Sequence, residues 1–460
     1  MRHDRLWALL TVALLNIFAL TVGLVVRDVI ASRPPEPLAH PVVRAEEAPA
    51  PMASGGVPVD PGLLADTLDD RMSSSGLGDD LYAYVADAET ATSLFAQQQQ
   101  EGAVPASTTK LVTAVAVLHA ADTDERLATT VVQGADPGRL ILVGGGDPTL
   151  TETADARGAS YPRLATLSDL AAATAARLRE SGVDSVTLGY DSTHYTGSTT
   201  APGWKPGYVY EGSVSTVHAL MIDGGRVDKE RAYSQRFDDP PQAAAEAFAR
   251  QLEAAGISVE GEPAPAEAAA EAATIATVES PTIAALVEKM LLESENNIAE
   301  ALAHHVAVTK GMQPSFEGAE AAVAEVMTDL GIEGVHVEDG SGLSVNNRIT
   351  PKALVELLLL AADPQHPELH YVLSGLPTAH FTGTLDDRYA PDSDAAPAAG
   401  LVRAKTGTLN GVSTLAGLAY DAEGRLLAFA FMANAEGASI AELAQDLDTF
   451  AATIARCDCS

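Results

Sequence analysis

Cysteine, lysine and net positive charge are all scarce in this chain of 460 residues. Its two cysteines, Cys457 and Cys459, are separated by one residue near the C-terminus. They cannot build a metal cluster alone, and we expect a flexible tail or an intermolecular link rather than a core disulfide. The net charge of −35 argues against nucleic acid or an anionic membrane surface as a partner, because both would repel the chain. His304 and His305 are adjacent but lack a His-Glu-x-x-His pattern, which argues against a zinc site.

Lysine is scarce enough for its positions to be informative. The chain has seven lysines, and two of them lie in short motifs. The motifs, in chain order, are Ser107-Thr108-Thr109-Lys110, Ser294-Glu295-Asn296 and Lys405-Thr406-Gly407-Thr408. A serine stands three residues before a lysine only once in the chain. Together the motifs are typical of acyl-transferring serine enzymes with a lysine base. The ordered set is far more specific than any single motif.

The first motif precedes a dense apolar run, residues 111–118, which predicts a largely buried helix that opens at Ser107. Residues three apart share a helix face, so the amine of Lys110 would lie beside the hydroxyl of Ser107. Burial, the helix dipole and a second cation would lower the pKa of that amine, and a neutral amine beside a serine is a workable base for it. The alternative is a solvated lysine at a hydroxyl-capped helix start.

The second motif lies between two predicted helices. Ser280 and Pro281 favour a helix start as N-cap and first-turn proline, and an apolar stripe continues that helix to Glu293. A further helix is predicted from about Asn297. In the break between the two helices, a hydroxyl and a carboxamide can point into a cleft. Simple capping of the helix ends by these side chains is the alternative.

The third motif is expected on a sheet. Gly407 would clear space for a ligand backbone, and its strand would offer an amide N–H to an oxyanion. Lys405, Thr406 and Thr408 supply a cation and two hydroxyls for a carboxylate. The alternative for Lys405 is an exposed lysine that protects an edge strand from aggregation. Three segments read as strands: 401–409, 412–420 and 426–432.

The three motifs in this order resemble those of penicillin-recognising serine D,D-peptidases, specifically the D-Ala-D-Ala carboxypeptidase/endopeptidase family of low-molecular-mass class C penicillin-binding proteins. The resemblance spans roughly residues 60–455, and the long gap between Ser107 and Ser294 resembles the extra domain or domains that this family carries. Glu295 departs from the aspartate of the common form, and we expect its side chain to point away from the cleft with little effect. Three further stretches are similar to the family: 142–150 (LVGGGDPTL), 191–193 (DST) and 339–344 (DGSGLS).

The resemblance implies an α/β (α+β) catalytic domain of the penicillin-recognising serine transpeptidase/β-lactamase type. Its antiparallel sheet is flanked by helices, and strands from both chain ends are paired. Four parts are predicted: an N-terminal anchor or signal segment at 1–31, a Pro/Ala-rich linker at 32–61, a discontinuous catalytic domain at 62–125 and 280–460, and an inserted part of unknown role at 126–279. Local patterns add a strand at 81–86, a helix C-cap at Gly331, a helix start at Thr350-Pro351, a terminal helix at 438–455, and a helix or acidic linker at 266–273.

The same resemblance implies a role for each motif residue. Ser107 is the acyl-ester nucleophile, Lys110 its general base and Ser294 a proton relay. The implied activity is a serine D-Ala-D-Ala carboxypeptidase of peptidoglycan stem peptides, with D,D-endopeptidase cleavage by the same chemistry, inhibited by penicillin and other β-lactam antibiotics. No metal or organic cofactor is implied. Two rival functions are a β-lactamase and a non-catalytic cell-wall-binding scaffold. The implied substrate-binding residues are Asn296, Lys405, Thr406, Gly407 and Thr408.

The N-terminal residues predict export. Residues 6–26 are uncharged and long enough to span a bilayer, and Arg2 and Arg5 precede them, which favours a cytoplasmic N-terminus and an exported remainder. This length favours an anchor retained in the cytoplasmic membrane over cleavage between Ala31 and Ser32, which would release a secreted enzyme. In both cases we expect an extracytoplasmic protein of the cell envelope, and the linker would hold an anchored enzyme off the membrane.

Overall fold

The computed structural model describes residues 55–136, 138–154 and 161–459. The predicted anchor, the cleavage site and most of the linker precede residue 55 and lie outside the described residues. Among the described helices, none combines the length and the apolar character needed to cross a membrane. The membrane anchor therefore stays a prediction.

The described residues form eleven α-helices and thirteen β-strands. The helices are α1 Pro61–Ser75, α2 Thr109–Ala120, α3 Leu167–Glu180, α4 Gly207–Tyr210, α5 Pro240–Ala254, α6 Ile283–Glu293, α7 Asn296–Thr309, α8 Phe316–Asp329, α9 Pro351–Ala362, α10 His370–Gly375 and α11 Ile440–Ala455. The strands are β1 Leu81–Asp87, β2 Ser93–Gln97, β3 Arg126–Gln133, β4 Arg139–Val143, β5 Ser185–Asp191, β6 Ser258–Val259, β7 Ala264–Pro265, β8 Thr274–Thr282, β9 Val335–His336, β10 Arg348–Ile349, β11 Val402–Leu409, β12 Val412–Tyr420 and β13 Leu426–Asn434.

The central sheet has five strands in the order β11-β12-β13-β1-β2, and every neighbouring pair is antiparallel. Leu81 of β1 lies opposite Ala433 of β13, so strands from distant parts of the chain are adjacent. This confirms the pairing that the resemblance implied. The predicted strand at 81–86 and the three predicted C-terminal strands are observed, each within two residues of its predicted ends.

Both faces of this sheet are buried, and β13 illustrates how. Its even-numbered residues from Leu426 to Met432 pack with α2, α6, α7 and α9 on one face. Its odd-numbered residues from Leu427 to Ala433 pack with α1 and α11 on the other face. Alternate side chains of a strand point to opposite faces, so a continuous apolar run suits a strand that is covered on both sides. The helices that carry the first two motifs, α2, α6 and α7, thus lie together on one face of the sheet.

Residues 126–282 build a second, mixed sheet in the order β6-β5-β4-β3-β8, with β7 paired to β5. β3 is antiparallel to β4 and β8, whereas β5 is parallel to β4, β6 and β7. This sheet packs on α3 and α5 around the fully buried Phe248. Residues 266–273 form no helix and lie beside β5, where the N–H of Ala268 donates to Asp191 at 2.7 Å. Of the two structures predicted for that segment, the linker is observed.

The predicted helix start at Ser280 and Pro281 is wrong. Both residues lie at the end of β8, and the hydroxyl of Ser280 accepts the N–H of Leu127 at 2.9 Å from the neighbouring strand. Thr282 caps α6 instead. The local pattern does not reveal that β3 lies beside this segment. The hydroxyl of Ser280, which we expected to cap the helix, instead accepts a hydrogen bond from β3.

The other predicted helix boundaries are confirmed to within two residues. Gly331 follows α8 with a φ of 71°, a left-handed conformation that glycine adopts without steric cost. Thr350 caps α9 by accepting the N–H of Ala353 at 3.1 Å, and Pro351 is the first residue of that helix. The terminal helix α11 begins two residues after its predicted start.

The C-terminal cysteines are buried, so the predicted flexible tail or intermolecular link is wrong. Cys457 and Cys459 are 4% and 3% exposed and form a disulfide with each other. They pack in the apolar cluster beneath α1 and α11, and the carbonyl oxygen of Cys459 accepts the N–H of Asp60. The residues after α11 turn into this cluster. The position of the cysteines near the end of the sequence does not indicate that they are buried.

Candidate active site

Ser107 lies in a tight turn immediately before helix α2. The turn is a 3₁₀ helix at Ala106–Thr108, and α2 begins directly after it, two residues later than predicted. The carbonyl oxygen of Pro105 accepts hydrogen bonds from the hydroxyls of Thr108 at 2.7 Å and Thr414 at 2.8 Å. The first bond lies within the turn itself, and the second joins the turn to β12. The turn that carries Ser107 is therefore fixed to the sheet and leads directly into α2.

The amine of Lys110 is the centre of the site. Its Nζ lies 3.1 Å from Oγ of Ser107, 2.7 Å from Oδ1 of Asn296 and 2.7 Å from the carbonyl oxygen of Ser341. The side chain is fully buried, and this burial lowers the pKa of Lys110 to about 8, although the negative charge of Asp339 opposes the change. The solvated lysine that was the alternative for this motif is therefore excluded.

Ser294 and Asn296 lie at the junction of α6 and α7. Ser294 ends α6 with a φ of 57° and a ψ of 38°, in the left-handed region that is costly for a residue with a side chain. Its Oγ accepts a hydrogen bond from Nζ of Lys405 at 2.8 Å. The Oδ1 of Asn296 accepts from Lys110, while its Nδ2 donates to the carbonyl oxygen of Ser213 at 2.8 Å. Both side chains form hydrogen bonds with residues outside α6 and α7. The alternative that they only cap the ends of these helices is therefore excluded.

Strand β11 places the second lysine opposite the first. Lys405 is fully buried although β11 is an edge strand, and its Nζ also donates to the carbonyl oxygen of Thr406 at 3.0 Å. Burial holds the pKa of Lys405 well below its ordinary value, and the charges of Lys110 and Arg388 lower it further. An exposed lysine that guards the edge is therefore excluded.

Gly407 lies where β11 approaches the turn of the nucleophile. A Cβ at this position would lie 2.1 Å from Oγ1 of Thr414 and 3.0 Å from the backbone nitrogen of Ser107. The glycine thus permits this approach, and the space that we predicted for a ligand backbone stays a prediction. Thr406 is buried, and Thr408 is exposed.

Two carboxylates and a loop that had no predicted chemical role complete the surroundings of Lys110. Glu300, fully buried in α7, accepts the N–H of Gly340 at 3.0 Å and the N–H of Ser341 at 2.9 Å, and these bonds hold the loop whose Ser341 carbonyl faces Lys110. Burial raises the pKa of Glu300 to about 8. The neighbouring Asp339 accepts the N–H of Gly342 at 2.9 Å. The sequence could have indicated a role for Glu300, because it is the one carboxylate in the otherwise largely apolar helix α7.

A cavity of about 1090 Å³ lies beside the second motif, and Glu295 is the one motif residue among those that line it. Glu295 and Thr384 line it, and Oγ1 of Thr384 lies 2.8 Å from Oγ1 of Thr406. Its wall carries charges of both signs, which suits a zwitterionic or peptide ligand. The charged residues are Arg163, Asp169, Asp223, Arg226, Lys229, Glu230, Lys289, Glu293 and Glu295.

The geometry thus contains two serine–lysine pairs, Ser107 with Lys110 and Ser294 with Lys405, and the charge of one lysine acts on the other. One pair can activate a nucleophile, and the other can deliver a proton to a leaving group.

The family model of the D-Ala-D-Ala carboxypeptidase 3 (S13) family matches residues 64–235 and 228–454. The chain belongs to this family. Membership confirms the predicted family and the predicted activity, that of a serine-type D-Ala-D-Ala carboxypeptidase.

Similar proteins cover most of this carboxypeptidase. Carboxypeptidase DacB of Mycolicibacterium smegmatis is 36% identical over 378 residues, which are 82% of this chain and 80% of that protein. Carboxypeptidase Rv3627c of Mycobacterium tuberculosis is 33% identical over 411 residues, which are 88% of this chain and 85% of that protein.

The fold of the carboxypeptidase is similar to that of penicillin binding protein 4 of Haemophilus influenzae. The two structures superpose with a TM-score of 0.68 at 22% identity, over 83% of this chain and 99% of that chain. The same protein complexed with a β-lactam gives a TM-score of 0.62 at 22% identity, over 83% of this chain and 97% of that chain. The predicted fold class is confirmed.

Proposed function

We propose that the enzyme removes the terminal D-Ala from peptidoglycan stem peptides through an acyl-enzyme on Ser107. The observation that carries this proposal is the fully buried amine of Lys110, which lies 3.1 Å from Oγ of Ser107. Because burial lowers the pKa of Lys110 to about 8, a substantial fraction of the amine is neutral near neutral pH. It takes the hydroxyl proton as Ser107 attacks the carbonyl carbon of the penultimate D-Ala.

Ser294 and Lys405 then complete the proton transfers. Asn296 holds the substrate amide while Ser294, which accepts a hydrogen bond from Lys405 at 2.8 Å, passes a proton to the nitrogen of the leaving D-Ala as the C–N bond breaks. The proton taken up by Lys110 returns through this network. Water hydrolyses the ester on Ser107 and releases the shortened peptide together with the free enzyme.

The oxyanion is held by the backbone N–H groups of Ser107 and Thr408 in this proposal. The close approach of β11 to the nucleophile turn supports it, since a Cβ on Gly407 would lie only 3.0 Å from the nitrogen of Ser107. The terminal carboxylate of the substrate binds the hydroxyls of Thr406 and Thr408 and the positive field of Lys405.

The same site would react with β-lactam antibiotics, because a lactam carbonyl is attacked as the peptide carbonyl is. The β-lactam complex of the similar Haemophilus protein supports this assignment. D,D-endopeptidase cleavage of a cross-link would follow the same steps with a larger amine as the leaving group. The cavity beside Thr384 and Glu295 has the volume for such a group, and Ser107, Ser294 and Lys405 do not line it.

The remaining predictions are retained as part of the proposal. The two sheets, each with its own core, support a division into a catalytic part at 62–125 and 280–460 and an inserted part at 126–279. Since the proposed substrate lies outside the cytoplasm, we place the enzyme in the cell envelope. Residues 6–26 would anchor it to the cytoplasmic membrane.

Mass spectrometry of the purified full-length protein after incubation with benzylpenicillin tests the proposal. We expect an adduct of one drug molecule on Ser107, no adduct on the Ser107→Ala variant, and release of D-Ala from a peptide that ends in D-Ala-D-Ala. Intact drug without an adduct would contradict the proposal and favour a non-catalytic scaffold. Rapid drug hydrolysis without an adduct would identify a β-lactamase.

A further inference from the structure

One segment of the chain contacts three consecutive side chains of the second motif region. This segment, residues 213–226, lies between α4 and α5. The carbonyl oxygen of Ser213 accepts from Nδ2 of Asn296 at 2.8 Å. Ser215 donates its N–H to Oδ1 of Asn297 at 3.1 Å and accepts from Nδ2 of the same residue at 3.5 Å. The junction of α6 and α7 is therefore held from outside its own helices.

The third contact is an ion pair between Arg226 and Glu295. A terminal guanidinium nitrogen of Arg226 hydrogen-bonds to Oε1 of Glu295, and the two side chains are only 16% and 14% exposed. Arg226 is itself held in place, because its Nη1 donates to the carbonyl of Asp223 at 3.3 Å and its Nε to the carbonyl of Ala232 at 3.2 Å. Glu295 is thus engaged by a fixed cation. Our expectation of little effect from this residue is untested, and the proposal below departs from it.

Ser294 needs such support. Its left-handed φ of 57° is unfavourable for a residue with a side chain and persists only where the surroundings determine it. Neighbouring Glu295 provides no side-chain cap to α7. Its carboxylate faces Arg226, so the ion pair acts on the backbone between the two motif residues Ser294 and Asn296.

We propose that Arg226 is a positioning residue for acylation, which holds Glu295 so that Ser294 and Asn296 keep their places beside the two lysines. This inference rests on the proposed acyl-enzyme at Ser107. It gives the segment between α4 and α5 a definite task, since that segment supplies both the ion pair and the carbonyl that binds Asn296.

The test compares Arg226→Ala, Arg226→Lys and Glu295→Gln in the full-length protein. The second-order rate constant of acylation by benzylpenicillin is measured for each variant, with kcat and KM on a D-Ala-D-Ala peptide and the melting temperature. Arg425→Ala is the matched control. Arg425 is also a buried guanidinium in an ion pair, with Asp87 at 2.6 Å, but it lies in the turn between β12 and β13 and contacts none of the motifs.

For Arg226→Ala and Glu295→Gln we expect acylation and kcat to fall roughly 10- to 100-fold, with KM changed less than about threefold, because misplaced catalytic groups slow the reaction more than they weaken binding. Arg226→Lys should restore part of the rate. Arg425→Ala should lower the melting temperature without a matching loss of acylation rate. Should Arg226→Ala fail to fold, Glu295→Gln, which keeps the shape of the side chain, decides the question.

Two results would overturn the inference. One is wild-type acylation in both Arg226→Ala and Glu295→Gln. The other is a loss of rate that Arg425→Ala reproduces at the same drop in melting temperature. A wild-type protein that is not acylated at all would instead refute the proposed function, so the two failures are distinguishable.

Discussion

The pH dependence of acylation offers the sharpest test of the role of Lys110. Burial lowers the pKa of this amine from 10.5 to about 8. At pH 7.5, about a quarter of such amines are neutral, compared with roughly one in a thousand at the ordinary pKa, so the structure gives a gain of roughly 200-fold in active base. If the neutral amine is the base, the acylation rate should rise nearly 100-fold from pH 6 to pH 9 and level off above about pH 8.

Stopped-flow acylation by a chromogenic β-lactam measures this profile directly. The Lys110→Arg variant complements it, because a guanidinium keeps the positive charge but does not lose its proton. We expect it to react at least about 100-fold more slowly than the wild type. Lys352→Arg is the matched control, since Lys352 pairs with Glu356 on the surface of α9. A flat profile, a rate that falls with pH, or a Lys110→Arg variant with wild-type rates would refute the assignment of Lys110 as base.

Three further outcomes follow from the contacts. Gly407→Ala should slow benzylpenicillin acylation by at least roughly 100-fold, because the new Cβ would lie 2.1 Å from Oγ1 of Thr414 and push β11 away from the nucleophile. Arg388→Ala removes the cation that pairs with the buried carboxylate of Asp448 at 2.7 Å, and should lower the free energy of unfolding in urea by roughly 3 kcal/mol. Burial raises the pKa of Glu300 from 4.5 to about 8, so the folded enzyme keeps a proton that the unfolded chain loses, and this stabilisation disappears as pH rises to 8. The melting temperature of the wild type should therefore fall between pH 5 and pH 8 relative to that of Glu300→Gln.

Each of these outcomes has a control on the surface. Gly55→Ala should leave acylation unchanged, because nothing lies within 4 Å of the added Cβ. Arg177→Ala breaks an ion pair with Glu180 whose members are 65% and 67% exposed, and should change stability by less than about 1 kcal/mol. Glu180→Gln should not alter the pH dependence of melting. Equal effects in test and control variants would show that the assigned contacts do not matter.

The elements that sequence reasoning predicted well are those whose signal is local. The apolar run after Lys110 predicts α2, and the apolar run of β13 follows the turn residues at 421–424. The three motifs carry rare residue types in a fixed order, so the serines and lysines could be named before their distances were known. The spacing of three residues predicted the contact of Ser107 with Lys110, and this contact is observed although Ser107 lies in the 3₁₀ turn before α2.

The parts that were missed depend on contacts between distant residues. Ser213 and Ser341 contact Asn296 and Lys110 through their backbone carbonyl oxygens. Every residue has such an oxygen, so the residue type at these positions does not predict the contact. The partner of Glu295 is an arginine almost seventy positions away, and only the fold brings the two together. Pro281 was misassigned for the same reason, since its pattern suits a helix start until a neighbouring strand is taken into account.

The pairing of β1 with β13 has a consequence for how the chain reaches its native state. Residues 81–97 supply one edge of the central sheet and residues 402–434 supply the rest, so contacts of very long sequence separation must form before the core is closed. Such topologies fold slowly, because the entropy of a large loop is lost before the contacts compensate for it. Until the last strand has been synthesised, β1 and β2 form only a two-stranded ribbon, which is marginally stable alone. A chain that stops short of β13 therefore leaves the edge of β1 open to proteases and to other unfinished chains.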